Sequence, residues 1–303
     1  MSDKNRAADK PHRLFIGCPV WACEHWKGSL FTAKAPRADW LRQYSSVFQT
    51  VEGNSTFYAL PSLDTAKRWA DSVQSGFRFA LKVPRSISHE CRLKNAQKEL
   101  TAFVDVCHVL ESHKVLGPSF LQLPPDFSPA EKETLYHFLT ALPAHLPWAV
   151  EVRHHDWYDS ALNEEWLDGL LKYLRMDKVI FDSRCLFSKP PADAVEEVSQ
   201  SRKPRTPIRK TVTSRHPFLR IVGRNQLDET QQWIEEWAPT IADWLQQGLE
   251  PFIFTHAPDD QFAPEFARRM HRAIRIHIPE LAEMPKWPGE IQSATTRQQK
   301  TLF

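Results

Sequence analysis

Ionisable and amide side chains recur in this chain wherever a short apolar run ends. Glu52 and Asn54 follow the run 47–51, with Tyr58 close behind. Lys82 sits near the end of FRFALKV (77–83), and His89 lies in the segment after it. Gln122 precedes the stop Pro124-Pro125. Glu151 and Arg153 straddle the end of the run 148–152 and lead into His154, His155 and Trp157. Asp182 closes KVIFD, Arg220 lies inside the run 218–222 with Arg224 just past it, and His256 follows the run 252–255. Strand packing requires none of these groups, and a bare buried charge is costly, so each needs a partner or a purpose.

Together they offer three acids (Glu52, Glu151, Asp182) and four bases (Lys82, Arg153, Arg220, Arg224). Such a set can hold an anionic group and move protons beside it. Arginine grips a carboxylate or phosphate through two parallel N–H bonds. Glu52 or Glu151 would be the acid or base, its pKa set by the neighbouring cations. Lys82 can serve as an acid, a Schiff-base nucleophile or a counter-ion. Asn54, Tyr58, His89, Gln122, Trp157 and His256 complete the ligand-binding candidates.

Two other readings stay open. Glu151 with Arg153, and Asp182 with Arg220, can be structural ion pairs, since alternate residues of a strand share a face. Glu52, Glu151, Asp182 and His256 can also form an oxygen and nitrogen site for a divalent metal. The interleaved lysine and arginine argue against the metal, and no cofactor is favoured. His154 and His155 are adjacent and face opposite ways on a strand. No G-x-S-x-G, Walker loop or cysteine–histidine signature appears.

The elements that must position these residues alternate. Eight short apolar runs are interleaved with amphipathic stretches, for example Leu63, Ala66, Trp69, Ala70 and Val73 at helical spacing. That rhythm predicts parallel strands with crossover helices, and eight units suit a TIM-like (β/α)₈ barrel over 13–287. Its active site lies at the C-terminal ends of the strands, where the residues above fall. No G-x-G-x-x-G follows the first strand, so a dinucleotide-binding fold fits less well.

The rhythm breaks over 184–216, where eight basic residues face three acidic ones among several prolines. This reads as a long basic loop, functional or mobile, and its cations can contact nucleic-acid phosphates without reading sequence. The whole chain carries only +2, so nothing global demands a nucleic acid or a membrane. Residues 1–12 read as a disordered tail without an apolar signal core. Five cysteines without a CxxC pair suit a reducing cytoplasm. No run approaches a membrane span.

The assembled pieces resemble the DUF72, or YecE-like, family from about Phe15 to Ile276. They are Gly17…Trp21…Trp26-Lys-Gly28…Phe31, Val51-Glu52-Gly-Asn54-Ser55-Thr56-Phe57-Tyr58…Pro61, Phe79…Lys82…His89, Gln122-Leu123-Pro124-Pro125…Phe127, Val150-Glu151-Val-Arg153-His154…Trp157, Asp182 and Arg220-Ile-Val-Gly223-Arg224. The resemblance implies a TIM-like barrel with a polar pocket at the strand ends, and implies no reaction. The sequence departs from the family pattern twice. Val222 stands where the pattern has a histidine, and Thr255-His256 stands where it has paired asparagines. A proton transfer that depends on that histidine is in doubt here.

Residues 288–303 are polar and without periodicity, and read as a flexible tail. Gln299, Leu302 and Phe303 resemble the Gln-x-x-Leu-Phe motif that binds the bacterial sliding clamp. Three readings of function therefore stand. One is a hydrolase, lyase or isomerase acting on a small anionic ligand. Another is a DNA-metabolism protein, nuclease-like or accessory, recruited to the clamp. The third is a non-catalytic ligand-binding module.

Overall fold

Along most of the strands, alternate side chains enter two different cores. Phe15, Ala80, Phe120, Ala149, Val179, Phe218, Phe252 and Phe254 pack together as one buried cluster. Their neighbours Ile16, Phe79, Leu121, Val150, Ile180, Leu219 and Ile253 join a second, larger core with the helices. Period-two alternation with both faces apolar is what a parallel sheet covered by helices requires.

The computed structural model describes residues 12–301, with side chains as far as Thr295 in the last helix. The strands are β1 (Phe15–Gly17), β2 (Thr50–Gly53), β3 (Arg78–Leu81), β4 (Ser119–Gln122), β5 (Trp148–Glu151), β6 (Asp177–Asp182), β7 (Phe218–Val222) and β8 (Phe252–His256). The helices are α1 (Trp40–Ser45), α2 (Ser55–Tyr58), α3 (Leu63–Ser72), α4 (Gln97–Ser112), α5 (Lys132–Thr140), α6 (Ala161–Leu174), α7 (Ala194–Arg202), α8 (Gln231–Gln246), α9 (Ala263–His277) and α10 (Pro288–Thr301). Short 3-10 turns precede several of them. Six strands pair in the order β1-β8-β7-β6-β5-β4, and β2 pairs with β3. All of these pairings are parallel. Parallel bridges Phe79↔Leu116 and Lys82↔Phe120 join β3 to the β4 side.

The other seam, between β1 and β2, is held differently. The Glu52 amide donates to the Cys18 carbonyl at 3.0 Å. Below it the buried Tyr44 hydroxyl accepts from the Cys18 amide and donates to the Thr50 carbonyl. Gly17 permits this approach, because a Cβ there would lie 1.9 Å from the Thr50 carbonyl oxygen. The architecture is a TIM-like barrel with an aromatic plug. Phe15 stacks on Phe252 at 4.4 Å and Phe218 meets Phe254 at 5.0 Å between ring centroids.

Two segments differ from the sequence reading. The stretch 184–216 is not only a loop, because it contains α7, capped by Asp193, whose carboxylate accepts the Glu196 amide at 2.8 Å. The stretch from Pro288 is helical rather than irregular. Its glutamines, alanine and arginine favour helix without an apolar stripe, and proline suits its first position. Its first turns dock where the Gln292 side chain accepts the Ala33 amide at 3.0 Å and Glu290 pairs with Arg268. Residues 1–11, Leu302 and Phe303 lie outside the described residues, as does the Gln299 side chain. No helix among the described residues is long and apolar enough to cross a membrane. The five cysteines are free thiols.

Candidate functional site

The parity that builds the plug also builds the site above it. Glu52, Lys82, Gln122, Glu151, Arg220 and His256 stand two residues beyond Thr50, Ala80, Phe120, Ala149, Phe218 and Phe254 on their strands. Their side chains therefore emerge on the inner face at the C-terminal mouth.

Arg220 is the hub and is 3% exposed. Its Nε and Nη2 donate to the two oxygens of Glu52 at 2.8 and 2.7 Å. Its Nη1 donates to Glu151 and, at 3.3 Å, to Gln122. The Phe120 ring lies under the guanidinium, 5.1 Å from its centroid. Arg153 donates to Glu151 at 2.6 Å and to Gln122 at 2.7 Å, the same-face pairing that alternation implies. Asn54 donates to Glu52 at 2.7 Å, and His256 Nε2 lies 3.1 Å from the other oxygen of that carboxylate.

These contacts decide the charge states. Burial pushes the Glu52 carboxyl up, but Arg220 and then His256 hold it well below the ordinary range. Burial likewise opposes ionisation of Glu151, and Arg220 with Arg153 brings it down to about 2. Burial lowers His256 to about 4 against the pull of Glu52, so its imidazole is neutral at pH 7 and donates Nε2–H to the carboxylate. His89, half-buried and facing Lys82 and Arg153, also falls to about 4. Both acids are thus fixed anions bound to guanidinium groups, which makes them poor proton acceptors near neutrality.

A cavity of about 640 Å³ opens over this array, within the usual size of small-molecule sites. Asn54, Lys82, His89, Gln122, Arg153, Arg220 and His256 line it, and Tyr58, 79% exposed, stands at its rim. Lys82 is 8% exposed, and its Nζ stands over the Phe57 ring, 3.8 Å from the centroid. Burial and then Arg220 bring it down to about 7. A somewhat larger cavity of about 730 Å³ lies at the opposite end, lined by His12, Arg13, Phe15, Phe77 and His271. Its described lining contains none of the Glu52, Arg220 and Glu151 array, so the mouth is the candidate site.

Three predicted residues are not brought there. Asp182 has the wrong parity, since Phe181 takes the inward place beside Arg153 and Arg220. Asp182 instead accepts the Trp237 indole at 2.8 Å and pairs with Arg184, not Arg220. Arg224 binds Glu196 at 2.6 Å and the carbonyls of Lys189 and Pro190, holding α7 to β7. Trp157 is buried, donates to the Phe127 carbonyl and stacks near Trp166. The metal set is broken up as well, because the Arg220 guanidinium lies between Glu52 and Glu151.

The basic stretch is largely paired. Arg184, Lys189, Arg209, Lys210 and Arg215 each meet a carboxylate, and Arg205 covers the Phe187 ring. The two that remain, Arg202 and Lys203, line the cavity. The sequence reading does not single them out, nor Asp260, which follows β8 and also lines the cavity. Burial brings Lys203 down to about 8 and Asp260 up to about 6. The signal for α7, which delivers Lys203, is the spacing Asp193-x-x-Glu196, a helix N-terminus pattern.

The model of the family described as "Protein of unknown function DUF72" matches residues 15–290. UPF0759 protein YecE of Escherichia coli (strain K12) is 31% identical over 278 residues, 91% of this chain and 98% of that protein. A crystal structure of a DUF72 family protein from Enterococcus faecalis V583 superposes with a TM-score of 0.64 at 21% identity, over 87% of this chain and 98% of that one. Another, from Thermotoga maritima MSB8, also gives 0.64, at 20% identity over 87% of this chain and 100% of that one. The two structures are similar in fold; the family match and the E. coli relative establish that the chain belongs to the DUF72 family.

Proposed function

We propose that the barrel mouth binds a small anionic ligand, through a phosphate or carboxylate group. The observation that carries this reading is the surplus of unpaired donors on cations lining one cavity. Glu52 and Glu151 are matched by Arg220 and Arg153. Lys82, Arg202 and Lys203 have no carboxylate at ion-pair distance among the described residues, and the acid remaining in the lining is Asp260. Arg153 uses two of its five N–H groups on Glu151 and Gln122. The other three suit an anion above the array.

Titration of the protein with inorganic phosphate by calorimetry tests this. One-to-one binding is expected at pH 6.5. Arg153→Ala should weaken it about tenfold or more, the worth of a charge-assisted hydrogen bond. Wild-type affinity should fall toward pH 9 as Lys82 and Lys203, at about 7 and 8, lose their protons. No binding, or binding indifferent to Arg153→Ala, would sink the reading.

A further inference from the structure

We infer that Lys82 is an amine nucleophile that condenses with the carbonyl carbon of a small aldehyde or ketone carrying an anionic group. This rests on the anion-binding reading and adds the reacting atom.

The chain contains a useful contrast. Lys178 is 5% exposed, and its Nζ donates to Asp168 at 2.6 Å. That is what a buried structural lysine requires. Lys82 is 8% exposed and has neither a hydrogen-bond acceptor nor an ion-pair partner for its Nζ among the described residues. It follows β3 directly, with the parity of Ala80, so its side chain rises from the plug into the cavity. Its amine meets the face of Phe57 rather than an oxygen. Carboxylates nearby are already bound to Arg220 and Arg153.

A lysine desolvated beside other cations is an activated nucleophile. Burial and Arg220 together leave a large share of Lys82 as free amine at neutral pH. The free N–H groups of Arg153, and Lys203 across the cavity, would hold the anionic end of the substrate. The carbonyl end then lies toward Lys82. The C–N bond forms as Nζ attacks the carbonyl carbon, giving a carbinolamine. The C–O bond then breaks and water leaves. Overall, one carbonyl and one lysine ammonium give one protonated imine and one water, so neither a net proton nor an electron is required. Asp260, brought up to about 6 and lining the same cavity, is suited to protonate the departing hydroxyl.

Reductive trapping tests this on the wild-type protein, so the folding of a variant is not at issue. The probe is glycolaldehyde phosphate with cyanoborohydride, followed by peptide mapping. Glycolaldehyde serves as the uncharged counterpart. Lys82, brought down to about 7, should be labelled at least about tenfold faster than the exposed lysines of the chain. The phosphate-bearing probe should outpace the uncharged one, and inorganic phosphate should slow it. Lys82→Arg, which keeps a charge but no nucleophile, should abolish the adduct at that position. Labelling of Lys82 no faster than of exposed lysines, with phosphate binding intact, overturns the imine and leaves the anion site standing. Neither labelling nor phosphate binding overturns both. Equal labelling by both probes overturns the requirement for an anionic group.

Discussion

Glu52 is bound on both oxygens. One accepts from Arg220 and Asn54, and the other from Arg220 and His256. A carboxylate accommodates about four such bonds, so little capacity remains for a substrate proton. Its part in the site is to hold Arg220 rigid and to neutralise it. Glu52→Gln tests that part. The amide keeps the shape, but its NH₂ would face donors of Arg220, leaving a buried cation under-compensated. Breaking one partner of a buried pair costs about 3–5 kcal/mol, and urea unfolding should show a loss of that order. A change within experimental error would mean that Glu151 alone satisfies Arg220. Val222 adds a second residue-scale point. It is 1% exposed and packs beside Phe181 and Leu186. Its register partner on β8 is His256. The imidazole at this level of the barrel thus comes from the neighbouring strand, and it is turned toward Glu52.

α7 is the element that completes the cavity, and one buried carboxylate anchors it. Glu196 is fully buried and accepts from the amides of Ala192 and Asn225 and from Arg224. The returning chain is tied back by Ser183 to the Pro204 carbonyl and by Thr206 to the Phe181 carbonyl. Arg202 and Lys203 lie between these two anchors. Glu196→Ala should therefore loosen 189–203, read as faster amide exchange there than in β7, and weaken phosphate binding by about fivefold or more, of order 1 kcal/mol. Unchanged exchange with unchanged affinity would show that α7 holds its place without Glu196. The same element marks the limit of what the chain reveals unaided. Strand and helix alternation is legible because most strands are apolar on both faces and most of the long helices that pack on the sheet have one apolar stripe. α7 has no such stripe, and Val195 and Val198 remain exposed beside the cavity. At the strand ends, Glu52, Lys82, Glu151 and Arg220 are legible because strand end and inward parity coincide. Asp182 satisfies the first condition only, and Phe181 takes the inward place. Lys203 and Asp260 belong to connecting segments, whose path no periodicity specifies.

At the scale of the whole molecule, the mouth carries a stability cost that depends on pH, and this separates a site from a structural ion-pair ring. Lys82 and Lys203 titrate at about 7 and 8 in the folded chain, against an ordinary lysine near 10.4. Between about pH 7 and 10 the unfolded chain therefore binds more protons at these residues than the folded one. Each lysine fully in its window therefore contributes a rise in stability of roughly 1.4 kcal/mol per pH unit. The acids act in another range. Glu151, held at about 2, contributes stability that is present above its unfolded value and is lost as pH falls from about 4.5 toward 2. The buried thiols of Cys18, Cys107 and Cys185, which burial holds above their ordinary value, act in the opposite sense above about pH 8.5, so the lysine effect is read as the difference between wild type and a variant. Lys82→Met removes one of these titrations at similar volume. Urea unfolding from pH 7 to 10 should show the variant more stable than wild type at pH 7, with the gap closing as pH rises. Phosphate should flatten the wild-type slope, because a bound anion favours the ammonium and draws the folded pKa of Lys82 back up. A parallel pair of profiles would mean that Lys82 is ionised and satisfied in the folded chain. A wild-type slope that phosphate leaves untouched would mean that no anion reaches it.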